Sequence, residues 1–343
     1  MSLATQWSVS VAGIDCSDAM NPYILSIETV DKAGGSSDTA TLEFDDAEGQ
    51  CKLPRKGDPV TITLEGVEVF VGVVDDAESS GSRGGGMTLS VACTSVDKRG
   101  KVKERQNLHK DNSTLEEFLK AAAKKAGITS VKVDKAFASI KREWWSTEGR
   151  SFLQLGRELA EEFGATFKIR GKAATFAKRG EGGSPGGGSL PSVSVVYGDN
   201  LISWRIRPYE SRPRYAKARL RWYDRKKAKW KQEDVEVGNQ PGSDALDIGG
   251  QARADQGAAK DAGKGRKTES EREGGAGDVT ILLAVEARAE GTCIVSGVRP
   301  GVDGSYRIET ATHRVSRGGS ETRLSLKQPQ GEAGTDSRGS SPK

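Results

Sequence analysis

The feature that most constrains the fold is a period of two in the spacing of apolar residues at both ends of the chain. In residues 302–327, VDGSYRIETATHRVSRGGSETRLSLK, Leu324 and Leu326 share one face of a strand and polar residues share the other. This alternation is typical of a half-buried antiparallel strand. Gly318 and Gly319 can form a turn, because glycine reaches positive φ without a steric penalty. The pattern predicts a β-hairpin near the end of the chain.

The same alternation runs through residues 1–100, where apolar segments are separated by turn sequences such as KAGGSSD and Glu65-Gly66. Such a succession predicts a meander of antiparallel hairpins, and therefore a barrel or a sandwich. The alternating sets are Tyr23, Leu25 and Ile27; Ala40, Leu42 and Phe44; Val60, Ile62 and Leu64; Val67, Val69, Val71 and Val73; and Met87, Leu89, Val91 and Cys93.

Between residues 106 and 180 the period changes to that of a helix. Thr114 and Glu117 have the spacing of a capping box, and Gly127 follows the apolar stripe as a stop signal. A second helix is expected from about Arg150 to Phe163, before a hairpin in ATFKIRGKAATFA. The residues expected to form the core of this insert are Phe118, Phe152, Leu155, Leu159 and Phe163, with Trp144 and Trp145 near an edge.

Strand patterns resume after the glycine-rich segment at 179–189. The sequence thus predicts a mainly β fold with a small α/β insert, in which two antiparallel tube-type β-barrel domains flank a helix-plus-hairpin domain. The expected segments are a first β domain at 1–105, the insert at 106–180, a second β domain at 190–330 and a disordered tail at 331–343. A charged excursion, helical in part or mobile, is expected at about 240–277 within the second β domain.

Several classes of protein are disfavoured by the sequence. The four cysteines lack paired spacing, so we expect no disulfide framework and no zinc site. The N-terminus lacks the basic and apolar regions of a signal peptide, and no apolar run is long enough to cross a membrane. We expect a protein that folds in a reducing cytoplasm and carries no cofactor.

Three features that could indicate an enzyme lack the context that catalysis needs. The G-x-S-x-G match around Ser184 is followed by Pro-Gly-Gly-Gly, which cannot begin the helix of a nucleophile elbow. The segment 257–268 differs from a phosphate-binding loop in spacing, and Gly265 replaces its Ser or Thr. No residue near His109 or His313 in the sequence would activate either one as a general base. For His313 a polar role at a sheet rim or an interface is favoured. We therefore expect no catalytic, cofactor-binding or metal-binding residues.

Charge is distributed unevenly along the chain. Residues 1–100 contain sixteen acidic and seven basic residues, whereas residues 203–232 contain twelve basic and two acidic ones. The basic run is interleaved with aromatic residues, a combination that could bind nucleic acid. Alternation also places Lys217, Arg219 and Arg221 on one face of a strand, so a protein interface or a solvated face remains open.

The order of these segments resembles the late control protein D family, the hub proteins of contractile phage tails. The resemblance rests on GDPVTITLEGVEVFVGVV, NSTLEEFLKAAAKKAGI, EGRSFLQLGRELAEEFGATFKIRGKAATFA and the closing AEGTCIVSGVRPGVDGSYRIETATHRVSRGGSETRLSLK. It covers roughly residues 5–330. The glycine-rich segment at 179–189 and the glycines within 250–276 depart from it, and the latter weaken the expectation of a helix there. The family is in turn similar to the N-terminal hub part of type VI secretion spike proteins.

The resemblance implies a homotrimer in the virion baseplate that joins a six-fold tail tube to a three-fold spike, assembled in the host bacterial cytoplasm. Its implied partners are the tail tube protein, the spike protein, other baseplate proteins and the tape-measure protein, without specific nucleic acid or membrane insertion. Lys217, Arg219 and Arg221 are then interface candidates. The candidates for the lumen or rim are Asp45, Asp46, Glu48, Asp75, Asp76 and Glu78. Two alternatives are a tail-associated peptidoglycan hydrolase and a nucleic-acid-binding module that uses residues 205–232.

Overall fold

The computed structural model is mainly β, as the sequence predicts. Strands hold 50% of the residues and helices hold 17%. The buried apolar residues group into three large clusters and one small cluster. The residues that the structure describes are 5–34, 37–97, 99–180, 190–209, 215–224, 227–237, 246–249, 252–253, 255–336 and 338.

The first β unit contains seven strands and one short helix. Its strands follow the order β3-β4-β7-β6-β5-β1-β2 in the sheet, and every pairing is antiparallel. Glu65 and Gly66 form the predicted tight turn, with φ of 46° and 76°. The elements are β1 (Trp7–Val11), β2 (Ile14–Asp15), α1 (Ser17–Met20), β3 (Ile24–Lys32), β4 (Thr39–Asp45), β5 (Pro59–Leu64), β6 (Val67–Ser82) and β7 (Gly86–Thr94).

Bulges change the predicted alternation in two of these strands. In β3 the register shifts at Leu25, so that Ile24 and Ile27 are both buried. In β6 the register also shifts, and Phe70 is buried although Val67 is 37% exposed. An extra residue on one strand moves the following side chains to the other face. The alternating sets predicted to begin at Tyr23 and Val67 were therefore wrong, because period counting cannot detect a bulge.

The insert has a core of its own, built on two helices. Thr114 Oγ1 accepts from the Glu117 N–H at 3.3 Å, and Glu117 Oε2 accepts from the Thr114 N–H at 2.9 Å, which confirms the capping box. Gly164, with φ of 61°, ends the second helix. The elements are a 3₁₀ turn (Lys101–Lys103), β8 (His109–Thr114), α2 (Leu115–Lys125), β9 (Ser130–Val133), α3 (Lys135–Ala138), β10 (Lys141–Ser146), α4 (Phe152–Phe163), β11 (Ala165–Arg170) and β12 (Ala173–Lys178).

All five residues expected to form the core of the insert are buried. The expectation for the two tryptophans was half right. Trp144 is 53% exposed, whereas Trp145 is 3% exposed and stacks on Phe118 with ring centroids 5.6 Å apart. The indole N–H of Trp145 donates to the Ser113 carbonyl at 2.9 Å, which allows the ring to be buried without an unpaired donor.

The second β unit is continuous with the first. The closing hairpin is β20 and β21, as predicted, and β20 pairs with β21 on one side and with β3 on the other. The two units therefore share one 13-stranded sheet, in which the hydrogen-bonded path runs from β2 to β14. The strands of this unit are β13 (Ser192–Val196), β14 (Leu201–Arg207), β18 (Ala276–Leu282), β19 (Thr292–Ser296), β20 (Gly304–Ser316) and β21 (Gly319–Gln330).

A hairpin–helix unit is inserted between β14 and β18. It consists of a three-stranded sheet and the 17-residue helix α5, so part of the expected excursion at 240–277 is regular helix. Residues 240–245, 250–251 and 254 lie outside the described residues, as do Ser184 and the glycines at 181–189. The elements are β15 (Lys217–Asp224), β16 (Lys229–Glu236), β17 (Leu246–Ile248) and α5 (Gln256–Arg272).

Glycines in α5 mark close packing, although the sequence suggested that they weaken the helix. A Cβ added at Gly263 would lie 2.3 Å from Val235 Cγ2. A Cβ added at Gly265 would lie 2.8 Å from the Glu162 carbonyl oxygen and 2.8 Å from the Gly164 nitrogen, at the end of α4. The missing side chains thus allow α5 to contact both β16 and α4.

Of the tail that was expected to be disordered, 331–343, the structure describes only residues 331–336 and 338. Residues 331–334 form turns, and Asp336 Oδ2 lies 3.6 Å from Arg299 Nη2. The limits expected for the domains stay a prediction, because the shared strand β20 leaves no break in the sheet between the two β units.

We expect Gly265→Ala to destabilise the protein by about 1–3 kcal/mol, because its Cβ would meet backbone atoms that cannot rotate away. This loss should exceed the gain of about 1 kcal/mol in helix propensity. Gly257→Ala is the matched control in the first turn of α5, where the Cβ would meet Asp255 Oδ1 at 3.2 Å. Urea unfolding measures both; equal stabilisation by the two substitutions would contradict close packing of α5.

Candidate functional site: a buried ionic junction and two exposed faces

Three parts of the chain meet at a cluster of buried charges. Asp31 closes β3, Asp38 precedes β4, and both are 5% exposed. Lys168 and Arg170 reach them from β11 of the insert; because they are two residues apart, they project from one face of that strand. Lys168 Nζ contacts both carboxylates, at 3.0 Å for Asp38 Oδ1, and Ala289 of the second β unit donates its N–H to Asp31 Oδ2 at 3.1 Å.

Arg170 completes this cluster. Its Nη2 lies 3.3 Å from Asp31 Oδ2 and its Nε lies 3.1 Å from Asp38 Oδ2. Burial raises the pKa of Asp31, but Lys168 and Arg170 outweigh burial and bring that pKa below its ordinary value. Burial, assisted by the charge of Asp31, holds the pKa of Asp38 above its ordinary value. Two buried carboxylates are thus balanced by two cations, of which Lys168 is largely buried and Arg170 is partly exposed.

A second group of charges ties the hairpin–helix unit to the same region. Arg272, at the end of α5, is 2% exposed. Its Nη1 donates to Glu290 Oε1 at 2.9 Å and its Nε donates to Glu309 Oε2 at 2.8 Å. Glu290 also accepts from the Thr166 hydroxyl at 3.1 Å and from the Gly180 N–H at 3.0 Å. We call the two groups together the ionic junction; no sequence motif marks it.

His313 is buried beside the junction as a structural residue. Its Nε2 lies 3.2 Å from the Ala287 carbonyl, which can only accept, so this nitrogen carries the proton. Its Nδ1 lies 3.0 Å from Thr322 Oγ1, which also accepts from the Ala284 N–H at 2.9 Å. Burial, together with the charge of Arg288, lowers the pKa of His313 to about 4. Both nitrogens of the neutral ring are therefore satisfied, as expected for a structural residue, but His313 is buried on a strand that is paired on both sides and does not lie at a sheet rim.

The basic face on β15 is partly neutralised within the chain. The side chains of Ala218, Leu220 and Trp222 are buried, which confirms the predicted alternation. Arg219 forms a two-pronged ion pair with Asp234 on β16, at 2.7 and 2.8 Å. The hydrogen bonds from Arg219 lower the pKa of Asp234.

The remaining interface candidates, Lys217 and Arg221, are exposed on β15. They lie opposite Glu236 and Gln232 of β16. Sequence reasoning noted the aromatic residues of this run but did not predict that two of them pair on the same face. Tyr223 and Trp230 form an edge-to-face pair with centroids 5.2 Å apart, and Trp230 is 63% exposed. Alternation in β16 could have identified this pair, because Trp230 lies opposite Tyr223 in the hairpin.

The acidic candidates for a lumen or rim do not form one group. Asp46 is 6% exposed and its Oδ1 accepts from the Cys51 N–H at 2.8 Å, so it holds a loop. Asp45 and Glu78 are exposed on the two strands that flank β7. The other three are Glu48, which is exposed, Asp75, which lies 3.8 Å from Lys56 Nζ, and Asp76, which accepts from the Ala77 N–H. Their orientation toward a lumen stays a prediction.

A second apolar surface lies at the β14 end of the sheet. Tyr197 and Trp204 pack edge to face with centroids 5.4 Å apart, and Ile202 is 53% exposed. Both ends of such a sheet offer backbone groups to another chain. The site that the fold presents is therefore a set of surfaces held in place by the ionic junction.

Neither a metal centre nor a membrane segment is found in the part of the chain that the structure describes. No group of three or more His, Cys, Asp or Glu residues there could hold a metal ion. None of the helices there has both the length and the apolar character needed to cross a bilayer.

We expect the contribution of His313 to stability to be full above pH 6.5 and to fall as the pH approaches 4. The unfolded chain takes up a proton in this window and the folded protein does not. The stability advantage of wild type over His313→Gln should therefore shrink by about 2 kcal/mol between pH 7.5 and pH 5. Urea unfolding at each pH measures it. His109→Gln removes the other histidine from an exposed position, and the same loss in that variant would contradict the assignment.

Comparison with known sequences relates this chain to phage proteins. No family model matches it. The "Probable baseplate hub protein" of Escherichia phage P2 is 26% identical over 191 residues, which make up 54% of this chain and 48% of that protein. The chain spans about half the length of the curated relatives it matches.

Solved structures share the fold over nearly the whole chain. The 43 kDa tail protein of prophage MuSo2 from Shewanella oneidensis has a TM-score of 0.69 at 18% identity, with 94% of this chain and 98% of that one covered. The E. coli c3393 protein, a component of the type VI secretion system, has a TM-score of 0.59 at 12% identity, over 96% and 79% of the two chains. These findings confirm the resemblance predicted from the sequence: the chain is a relative of phage baseplate hub proteins and has the fold of phage tail proteins.

Proposed function

We propose that the chain is a structural protein of the baseplate hub of a contractile phage tail or a phage-like particle. The observation that carries this proposal is the similarity to the P2 protein named as a hub, joined to a fold shared with a prophage tail protein over 94% of the chain. The continuous sheet and the ionic junction support it, because a hub must keep its contact surfaces in fixed positions. The protein would act in the virion, after assembly in the host cytoplasm.

The proposed hub is a homotrimer that adapts a six-fold tail tube to a three-fold spike. Three copies with two β units each would offer six similar surfaces, and closed rings use exposed strand edges as contacts. Sharing of β20 between the two units supports this role, since it holds both units of one copy in one sheet. The proposed partners are the tube and spike proteins, other baseplate proteins and the tape-measure protein.

The proposed role is non-catalytic, and no specific observation favours either alternative. A peptidoglycan hydrolase would need carboxyl groups placed together in a cleft, and the buried carboxylates of Asp31, Asp38 and Glu290 are instead held in ion pairs. A nucleic-acid surface on residues 205–232 would use the cations of this run, and one of them, Arg219, is neutralised by Asp234. We expect the protein not to retain duplex DNA at about 150 mM salt. We also expect it to produce no band of cleared peptidoglycan in a zymogram.

Native mass spectrometry tests the assembly. We expect a species of three chains, each of 36.6 kDa, for the protein alone or with its spike protein. The reason is that the exposed edges at β2 and β14 leave backbone donors and acceptors that a neighbouring copy can pair. Detection of monomer alone under both conditions would count heavily against the trimeric hub.

The exposed part of the basic face supplies a second test. Arg221 lies opposite neutral Gln232, so Arg221→Glu should leave the melting temperature near that of wild type. If this face meets an acidic surface on a neighbouring chain or tail protein, the variant should fold and join tails poorly. Lys132→Glu, on an exposed position of β9, is the matched control and should assemble normally. If Arg221→Glu gave a normal yield of tails, the basic face would be a solvated surface and not an interface.

A further inference from the structure

The first β unit contains an open apolar cavity of about 600 Å³. Its floor is the core of the unit, including Phe44 and Leu89, and its walls include Met20 and Tyr23. Protein interiors are close-packed, so an apolar space of this size forgoes contacts that its lining could make. The volume falls within the range of roughly 300–1,000 Å³ that is typical of binding pockets.

The rim of the cavity offers both apolar side chains and a free strand edge. Ile14 is 68% exposed and Leu53 is 57% exposed, although both line the opening. Ile14 belongs to β2, which consists of two residues and ends the hydrogen-bonded path of the sheet. An extended peptide can add to such an edge through its backbone while its alternate side chains enter adjacent pockets. An acyl chain could fill the cavity but could not use this edge.

The charge of the lining favours an acidic occupant. Lys52 and Arg55 line the cavity from an exposed segment, and neither forms an ion pair within the described residues. The lining also includes one carboxylate, Asp58, whose Oδ2 accepts from the Arg55 backbone N–H at 2.9 Å. Two unpaired cations therefore face an occupant across an apolar rim.

We infer that this cavity receives a short extended segment of another tail protein. Apolar side chains of the segment would enter the cavity, its backbone would pair with β2, and an acidic residue would meet Lys52 and Arg55. The inference rests on the proposed hub role and adds a partner contact at a surface that the comparisons do not describe.

The cysteines of the chain provide a direct test. Cys16 lines the cavity and is half-buried, whereas Cys93 and Cys293 are 2% and 0% exposed in other positions. The isolated protein and the tail particles that contain it are treated with N-ethylmaleimide, and each cysteine is quantified by mass spectrometry. We expect Cys16 to react in the isolated protein and at least tenfold more slowly in particles, while the two buried cysteines stay unmodified in both.

Failure of this inference is distinguishable from failure of the hub proposal. Particles that contain the chain but leave Cys16 fully reactive would overturn the inference alone. Particles that lack the chain would overturn the proposed function. If dodecanoate protected Cys16 in the isolated protein as strongly as assembly into particles does, the preferred occupant would be an amphiphile, and the assignment of a peptide would be overturned.

A photo-crosslinking amino acid at Leu53 tests the chemistry of the occupant. We expect crosslinks in particles to an apolar segment of another tail protein that carries an Asp or Glu; crosslinks to a second copy of this chain would overturn the assignment. Leu53→Asp should lower incorporation into tails at least tenfold without a large change in melting temperature. Met87→Asp, 40% exposed on β7 and outside the cavity, is the matched control, and an equal loss there would also overturn the inference.

Discussion

The ion pairs between Lys168 and the carboxylates of Asp31 and Asp38 are the contacts on which the arrangement of the chain depends. Removal of one partner from a buried ion pair costs about 3–5 kcal/mol, because the remaining charge stays unpaired out of water. Asp31 and Asp38 belong to the first β unit and Lys168 to the insert, and the Ala289 N–H adds a contact from the second β unit. These contacts join the insert to both β units and so link three separately packed cores.

The shared strand β20 extends this coupling to the sheet. Its pairing with both β3 and β21 joins the strands of the two β units in one sheet. His313 lies on this strand and is satisfied only as a neutral ring, through Thr322 and Ala287. One of the two histidines thus lies on the strand that joins the two β units, and its surroundings favour the neutral ring.

Much of the fold could be predicted from local patterns. The closing hairpin, the capping box at Thr114 and the buried face of Leu220 are properties of a few consecutive residues, so period and turn chemistry suffice for them. The bulge at Leu25 could not be predicted, because an extra unpaired residue depends on the partner strand. The glycines of α5 were misjudged for a similar reason: Gly265 is unfavourable for an isolated helix but necessary beside Gly164.

The candidate site was predicted less well than the fold. The basic face on β15 was identified by alternation, but its neutralising partner Asp234 lies on the next strand. The ionic junction brings together residues more than 100 positions apart, such as Asp31 and Lys168, and no local pattern marks such a cluster. The acidic residue Asp46 was taken as a surface charge, although it is buried and holds a loop.

Internal pairing of charges also determines which surfaces can supply binding energy. Arg219 is neutralised by Asp234, and Lys231 Nζ lies 2.7 Å from Asp224 Oδ2, so these two cations of the basic run contribute little net field. Exposed aromatic residues beside it, such as Trp230, retain much of their area for burial against a partner. Interface energy tends to concentrate in aromatic and arginine side chains, whereas rim charges mainly affect association rates and salt dependence. Contacts of this chain with its neighbours should therefore owe their strength to aromatic and apolar groups, and their orientation to the few cations, such as Arg221, that face no acidic residue across the hairpin.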